Sequence, residues 1–476
     1  MPDFISFINE VIWGSVMMYL LPGAGCWFTY RSGLVQFRYL RQFGKSLKKS
    51  LSPQASGLTS FQALCTSLAA RIDSGSLTGV ALAIAAGGPG AVFWMWVSAL
   101  IGMATSFAEC ALAQLYKERD SEGQYRGGPA WYMARGLGMH WLGVLFAILL
   151  LIAYGVIFNS MQANAVSQAF AFAFDVPPLL SGLVLGGAAL LIIMRGIRGV
   201  ARIMQWFVPV MITLWLALCL MICAWHIEQL PAILLSIVKS AFGWQEATAG
   251  VAGYTLSQAI TNGFQRGMFS NEAGMGSTPN IAAAAASWPP HPAAQGIVQM
   301  IGVFINTIVI CTASAMVMLL AETETFYRPA EGIHLAQQAI LSLTGPWGAG
   351  AVALVVLLFA CSSIVVNYLY AENNLIFLRR DNLRTRWLLR IITVGTVTGG
   401  AFVSLPLIWQ FAHILMACMA ITNLTAILLL SPVVHTIASD YLRQRKLGVR
   451  PTFDPLRYPE IEQQLAPDSW DDLPRH

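Results

Sequence analysis

Long apolar runs separated by short polar segments dominate this chain of 476 residues. A helix that crosses lipid needs about 20 mostly apolar residues, and its backbone groups must be satisfied internally. The pattern predicts an all-α polytopic membrane protein with about eleven transmembrane helices. Their expected positions are 11–30, 60–87, 90–116, 141–173, 178–195, 205–226, 248–285, 293–320, 348–378, 387–405 and 409–433.

Composition and the placement of basic residues support this prediction. Hydrophobic residues make up 56% of the chain and charged residues 11%, against about 25% charged residues in soluble domains. Nearly all Lys and Arg residues lie in alternate polar segments and in the C-terminal region, and the exceptions are Lys239, Arg328, Arg71 and Arg266. Because cytoplasmic loops are rich in Lys and Arg, we expect an external N-terminus, an odd number of spans and a cytoplasmic C-terminus. The net charge of +5 therefore gives no indication of nucleic-acid binding.

Two polar stretches interrupt apolar runs that are long enough to cross a bilayer. Residues 69–79 read AARIDSGSLTG, and residues 269–277 read FSNEAGMGS a few positions after Arg266. Ionisable side chains at membrane depth usually face the protein interior or a wet cavity. Each stretch therefore predicts a discontinuous helix whose freed backbone groups bind a solute or an ion. The alternative for the small residues 74–76 is a kink packed against a neighbouring helix.

The two interrupted helices are expected to run in opposite directions through the membrane. With the first helix peripheral, residues 60–226 and 248–433 form two five-helix halves of inverted orientation, a five-plus-five arrangement typical of secondary transporters. Residues 1–433 are thus expected to be one transporter domain, in which 11–59 hold the extra N-terminal helix and a cytoplasmic loop. Residues 434–476 are expected to be a polar cytoplasmic tail that extends over the surface.

Other polar residues also lie at membrane depth. They include Asn159, Gln162, Asn164, Asn306, Thr307, Ser362, Asn367, Thr422 and Asn423. Each of these residues, taken alone, is well explained as a hydrogen-bonding contact between helices. Glu109 is expected to be a structural partner of Arg71 or Arg266. The sequence contains no H-E-x-x-H, G-x-S-x-G or G-x-x-x-x-G-K-[ST] motif, so an enzyme is not indicated.

Several motifs closely resemble those of the bacterial alanine/glycine:cation symporter family, part of the amino acid–polyamine–cation superfamily. They are GGPGAVFWMW at 87–96, GMATSFAEC at 102–110, GGPAWYM at 127–133, MQAN at 161–164, FSNEAGMGS at 269–277 and GVFINTIVICT at 302–312. The resemblance extends from about residue 28 to 436. It implies sodium-coupled uptake of alanine, glycine or related small neutral amino acids across a bacterial inner membrane. It also implies that residues 74–78 and 270–276 form two broken helices around the solute and sodium, with no further cofactor.

Three residues depart from the pattern of that family. Its first break usually reads A-R-x-G-[ST]-G-N-[IL]-x-G-V, whereas this chain has Asp73 for a glycine and Ser76 for the asparagine. Its eighth span usually reads G-x-F-I-D-T, and here Asn306 takes the place of the aspartate. A cation should be held less tightly by Asn306, because the amide has a carbonyl ligand but no negative charge. An uncoupled carrier, a proton-coupled carrier or an amino-acid sensor therefore remain alternatives.

An amino-acid solute presents a carboxylate and an ammonium group. We expect backbone N–H groups of Gly75, Ser76 and Thr78 to hold the carboxylate, and Asp73, Gln162 or carbonyls near Ser270 to hold the ammonium. The complete predicted solute site is Asp73, Ser74, Gly75, Ser76, Thr78, Gln162, Ser270, Ala273, Gly274, Met275 and Gly276. The predicted sodium ligands are Ser76, Asn271, Asn306, Thr307, Thr422 and Asn423.

Overall fold

The computed structural model describes residues 2–40, 57–244, 252–321, 332–380, 382–403, 405–467 and 469–470. The prediction of a polytopic helical membrane protein is confirmed. In the described part of the chain, the helices long and apolar enough to cross a bilayer are Phe7–Arg31, Gly90–Leu115, His140–Phe174, Gly196–Trp225, Pro292–Leu320, Pro346–Phe377 and Pro406–Leu429. The pair Ser60–Arg71 and Gly75–Gly87 also has this length and apolarity, but it is bent by 46° at residues 72–74, here called the first break.

The remaining helices are shorter or more polar. They are Val35–Leu40, Pro129–Arg135, Pro178–Ile193, Leu230–Ala241, Ala252–Asn271, Pro279–Ala283, Ile333–Thr344, Leu383–Gly400, Ser431–Lys446 and Pro459–Glu462, with 3₁₀ turns at Ile227–Gln229 and Pro455–Arg457. A small antiparallel hairpin pairs Glu118–Arg119 with Tyr125–Arg126. Helical segments thus lie at all eleven predicted positions, while the number that cross the membrane and the inverted repeat remain predictions.

The backbone leaves the helical conformation at both interruptions. Thr59 and Gln62 form a capping box at the start of Ser60–Arg71, and this helix ends where Ile72 leaves the helical region at φ −89° and ψ 78°. A second break spans residues 272–278, between Ala252–Asn271 and Pro279–Ala283. It contains Gly274 at φ 83° and Gly276 at φ 79°, a conformation that glycine adopts without strain.

The helix Gly90–Leu115 lies at the centre and packs against Ala252–Asn271 and Pro292–Val303. Glycines allow this close approach, because a Cβ on Gly263 would lie 2.5 Å from the Cβ of Trp94. A Cβ on Gly267 would lie 2.1 Å from the Ser98 hydroxyl. Small residues at helix contacts are typical of membrane proteins, where packing rather than water exclusion holds helices together. This packing places the second break beside the central helix.

The C-terminal region differs from the expected surface extension. Ser431–Lys446 is a helix, and Ile437 and Tyr441 lie on its buried side. Beyond it, Phe453 and Trp470 are also buried. Ile437 and Tyr441 are four positions apart and therefore share one face of the helix, which is the buried face.

A buried ionic contact attaches this C-terminal helix to the loop before Pro292. His291 Nε2 lies 3.4 Å from Asp440 Oδ2, and Arg443 donates to Asp440 Oδ1 at 2.6 Å. Burial opposes ionisation of Asp440, but the hydrogen bonds from His291 and Arg443 outweigh it and lower its pKa to about 2. Burial also lowers the pKa of His291 below its usual value of 6.5, against the opposing effect of Asp440.

Candidate functional site

At the first break, the Asp73 carboxylate lies against the start of the second half-helix, Gly75–Gly87. The backbone N–H of Ser76 donates to Asp73 Oδ1 at 3.2 Å, and Gln162 Nε2 donates to Asp73 Oδ2 at 2.7 Å. Gln162 Oε1 in turn accepts from the backbone N–H of Ser74 at 3.1 Å. A ring of hydrogen bonds therefore surrounds a carboxylate that is only 7% exposed.

Aromatic rings lie beside the same half-helix. A Cβ on Gly75 would lie 2.9 Å from Asp73 Oδ1 and 2.9 Å from Cε1 of Phe269. The Phe269 ring centroid is 5.8 Å from that of Phe158 and 5.0 Å from that of Trp409. Three different helices thus contribute rings to one wall, and the first break packs directly against it.

Asn306 joins the two interrupted helices. Its Nδ2 donates to the carbonyl of Arg71 at 3.1 Å, to the carbonyl of Ser270 at 2.5 Å and to the Ser270 hydroxyl at 3.0 Å. The Ser76 hydroxyl lies 3.1 Å from the Arg71 carbonyl oxygen and 3.3 Å from Asn306 Oδ1. Asn306 lies in a π-helical segment, Phe304–Cys311, and such segments occur frequently at functional sites.

The oxygens around Asn306 have the chemistry of a hard-cation site. Carbonyl and hydroxyl oxygens are the groups that such cations prefer, and Arg71 and Ser270 supply both carbonyls from helix ends. In this chain the amide nitrogen of Asn306 contacts three of these oxygens. The amide therefore provides the positive end of a dipole where a cation would provide a full charge.

At the second break, Glu109 holds the backbone in place. The N–H groups of Gly274 and Gly276 donate to Glu109 Oε1 and Oε2, each at 3.2 Å. Asn423 Nδ2 donates to Glu109 Oε2 and to the Gly274 carbonyl, both at 2.9 Å, and Asn423 Oδ1 accepts from the Tyr132 hydroxyl. Backbone N–H groups of a turn that converge on one anion form an anion-binding nest. Here the anion is a side chain of the protein itself.

A second carboxylate belongs to the same break. Glu272 accepts from the Tyr154 hydroxyl and from the Ser277 hydroxyl, each at 2.8 Å. Each of the two breaks thus contains a buried carboxylate, Asp73 in the first and Glu272 in the second.

The expected pairing of Glu109 with an arginine is not formed. Arg71 donates instead to a backbone carbonyl and to a serine hydroxyl of neighbouring helices, each at 3.0 Å. The guanidinium carbon of Arg266 lies 4.9 Å from the ring centroid of Trp409. Within the described ranges, no ion pair involves Asp73, Glu109 or Glu272.

The other predicted residues are less closely connected to this centre. The Thr422 hydroxyl donates to its own helix, at 2.7 Å from the Cys418 carbonyl. The hydroxyls of Thr78 and Thr307 are buried and have no hydrogen-bond partner among the described residues. Asn271 Oδ1 accepts from the Ala273 N–H at 2.9 Å. Asn271 and Ala273 line a cavity of about 20 Å³, which has room for about one water. Met275 is buried and donates its N–H to the Glu272 carbonyl at 3.3 Å.

The structure thus divides the predicted residues into two groups. The group at the first break is Asp73, Ser74, Gly75, Ser76, Gln162, Ser270 and Asn306, and the group around Glu109 is Gly274, Gly276 and Asn423. Sequence reasoning missed Tyr132 and Tyr154 and the role of Glu109 as a backbone anchor. Two features of the sequence could have indicated the nest. Glu109 has no basic residue nearby in sequence, and Gly274 and Gly276 both lie in the second break.

Comparisons with known proteins agree with this architecture. An uncharacterised transporter of Escherichia coli, YaaJ, is 72% identical over 473 residues, which cover 99% of each chain. A probable sodium/glutamine symporter of Bacillus subtilis, GlnT, is 40% identical over 94% of this chain and 92% of its own. The sodium/alanine symporter AgcS of Methanococcus maripaludis is 38% identical over 93% of this chain and 98% of its own.

Solved structures show the same fold class at low sequence identity. A manganese transporter of Eremococcus coleocola, in complex with an aromatic bis-isothiourea compound, has a TM-score of 0.53 and 13% identity, over 85% of this chain and 83% of that chain. At this identity the likeness extends to the fold alone. Residues 1–455 match the sodium:alanine symporter family. This chain is therefore a multi-pass membrane transporter, not an enzyme, and it belongs to the sodium:alanine symporter family.

Proposed function

We propose that the chain imports small neutral amino acids of the alanine and glycine type, driven by sodium that enters with the solute. The observation that carries this proposal is the position of Asn306, which bonds to the ends of both interrupted helices. Coupling requires that ion and solute contact the elements that change between inward-open and outward-open states. A site that spans both breaks satisfies this requirement.

The proposed cation ligands are the carbonyls of Arg71 and Ser270 and the hydroxyl of Ser76, because all three oxygens already contact the buried amide of Asn306. The solute is expected beside them, between Asp73 and the Phe269 ring. Small residues at the second break would limit the size of its side chain. Movement of one sodium ion down about 100 mV contributes about 2.3 kcal/mol, which supports roughly fifty-fold accumulation of a neutral solute.

We further propose the membrane organisation expected from the basic residues. Residues 60–226 and 248–433 would form the inverted halves, with the N-terminus outside and the C-terminal region in the cytoplasm. The carrier would lie in a bacterial inner membrane.

An uncoupled carrier is the second candidate function. It is favoured by the three hydrogen bonds of the Asn306 amide nitrogen, which satisfy oxygens that would otherwise bind a cation. Such a carrier would equilibrate the solute but would not concentrate it.

Uptake into proteoliposomes tests both candidates. Labelled alanine and glycine are offered with an inward sodium gradient and, in parallel, with choline in place of sodium. Accumulation above the external concentration only with sodium supports symport. Equilibration at the same rate with either cation supports the uncoupled carrier and contradicts symport.

A further inference from the structure

A basic cavity lies between the C-terminal helix and the start of the spanning helix Pro292–Leu320. Its volume of about 470 Å³ falls within the ~300–1,000 Å³ that is typical of small-molecule sites. We propose that this cavity binds the phosphate head group of an anionic phospholipid. Solute uptake has no part in this inference, which is therefore independent of the proposed function.

One wall of the cavity belongs to a helix long enough to cross the whole bilayer. Ala294, Ile297 and Val298 line the cavity and lie in the first two turns of Pro292–Leu320. The 29 residues of this helix extend over about 43 Å, which matches the ~40–45 Å of a bilayer with its head groups. The start of the helix, and the cavity beside it, therefore lie at the depth of the lipid head groups.

Two arginines, Arg445 and Arg450, line the same cavity. The guanidinium carbon of Arg450 lies 3.2 Å from the ring centroid of Trp288, so the planar group stacks on the indole. A stacked guanidinium keeps its N–H donors at its edge, where their fork matches the oxygens of a phosphate. The guanidinium carbon of Arg445 lies 5.8 Å from the ring centroid of Tyr39. Aromatic rings thus hold both cations in place.

Carboxylates do not line this cavity. The described residues around it include no Asp or Glu, and the same is true of an adjoining cavity of about 810 Å³ that shares Arg450. In the adjoining cavity, Arg443 is paired with Asp440 at 2.6 Å. Arg457 is paired with Asp454 at 3.4 Å. Arg450 forms no ion pair within the described ranges, so its charge is available to an anionic ligand.

The combination of charge, apolar wall and depth favours a lipid over a soluble anion. Basic pockets beside transmembrane helices bind anionic head groups. A free phosphate would contact the arginines but would leave the apolar wall uncovered. Leu447 and Val449, which lie between the two arginines in sequence, are 73% and 55% exposed. Acyl chains of a lipid bound at the arginines would cover such side chains.

Two lipids with the same acyl chains test the inference. Dioleoylphosphatidylglycerol carries a net negative charge, whereas dioleoylphosphatidylcholine does not. Each is titrated into the purified full chain in an uncharged detergent, and bound lipid is counted by native mass spectrometry. A basic side chain near an anionic lipid strengthens binding roughly fivefold. With two arginines, we expect phosphatidylglycerol to bind about twenty-five-fold more tightly than phosphatidylcholine.

Single substitutions assign the effect to the cavity. Arg450→Gln and Arg445→Gln should each weaken binding of phosphatidylglycerol roughly fivefold and leave that of phosphatidylcholine unchanged. Lys446→Gln is the matched control, because it removes the same charge from the same helix but Lys446 lines neither cavity. This control should bind both lipids as the unaltered protein does. All three side chains belong to exposed residues, and the thermal unfolding midpoint of each variant checks that it is folded.

The possible results decide between a lipid site and its alternatives. Weaker binding of phosphatidylglycerol confined to the two arginine variants supports the inference. Equal binding of the two lipids to the unaltered protein would overturn it, and so would equal weakening in all three variants, which indicates diffuse surface charge. Displacement of phosphatidylglycerol by inorganic phosphate at the same concentration would assign the cavity to a soluble anion and would also overturn it. None of these results bears on amino-acid import, which the uptake assay tests separately.

Discussion

Replacement of Asn306 by aspartate should make the protein depend on sodium for its stability. In the unaltered chain, Asn306 Nδ2 donates to three oxygens at 2.5–3.1 Å. Asn306→Asp replaces this donor with a carboxylate oxygen, so that four oxygens face one another in a buried site. A cation is then the group that can satisfy them.

The magnitude follows from the hydrogen bonds that are lost. A neutral hydrogen bond contributes a net ~0.5–1.5 kcal/mol. The two N–H groups of the Asn306 amide share these three acceptors. Their loss therefore costs roughly 1–3 kcal/mol in a sodium-free buffer, before the cost of burying a new charge is added. Sodium at 100 times its dissociation constant would return about 2.7 kcal/mol. The bound cation should thus offset most of the loss.

Thermal unfolding of the purified protein checks this prediction, with choline chloride replacing sodium chloride at constant ionic strength. We expect the midpoint of the Asn306→Asp variant to rise more steeply with sodium than that of the unaltered protein, because in the unaltered protein the Asn306 amide competes with the cation for the same oxygens. Asn164→Asp is the matched control, because Asn164 Nδ2 also donates to two backbone carbonyls, at 3.2 and 2.7 Å, but belongs to neither break. Equal midpoints for the Asn306→Asp variant in sodium and choline would refute the reasoning.

Three further predictions concern the two breaks and the C-terminal helix. Glu109→Gln leaves one oxygen for two backbone N–H groups, so we expect loss of most solute uptake in proteoliposomes while insertion is preserved. Gly75→Leu should abolish uptake, because even a Cβ there would lie 2.9 Å from the Phe269 ring; insertion is checked by gel filtration of the purified variant. The pKa of His291 is lowered by burial, so attachment of the C-terminal helix should weaken as pH falls below about 6.5, measured by hydrogen exchange.

The sign of the pH effect follows from linkage. The unfolded state binds the proton more readily than the buried imidazole of His291, so this contribution is present above about pH 6.5 and is lost below it. Asp440, with its pKa lowered to about 2, stays ionised throughout this range and does not contribute. Exchange that is equally slow at pH 8 and pH 5.5 would contradict the prediction. Full uptake by Glu109→Gln or by Gly75→Leu would likewise contradict the roles of those residues.

The positions of the breaks could be predicted from the sequence because they depend on local composition. An apolar run with Arg71 and Asp73 inside it cannot remain an uninterrupted lipid-facing helix, and the structure has its 46° bend there. The alternative of a tight helix contact also describes part of the structure, since Gly75 packs against Phe269. The two interpretations are therefore complementary at this position.

The partners of each polar group could not be predicted, because they come from distant parts of the chain. Glu109 and Gly274 are 165 positions apart, and Ser76 and Asn306 are 230 apart. The pattern that marks Glu109 as buried is the same whether its partner is an arginine or a backbone nest. Only the packing of the central helix against the second break decides between them.

The buried C-terminal region has a consequence for the order in which the protein is made. Trp470 donates its indole N–H to the carbonyl of Leu115 at 3.1 Å, at the end of the central helix. A ribosome synthesises residue 470 after every apolar span, so this contact forms only when the rest of the chain has already entered the membrane. Until then the end of the central helix lacks this partner. A chain that ends before residue 470 would therefore leave the Leu115 carbonyl without the indole donor that the finished protein supplies.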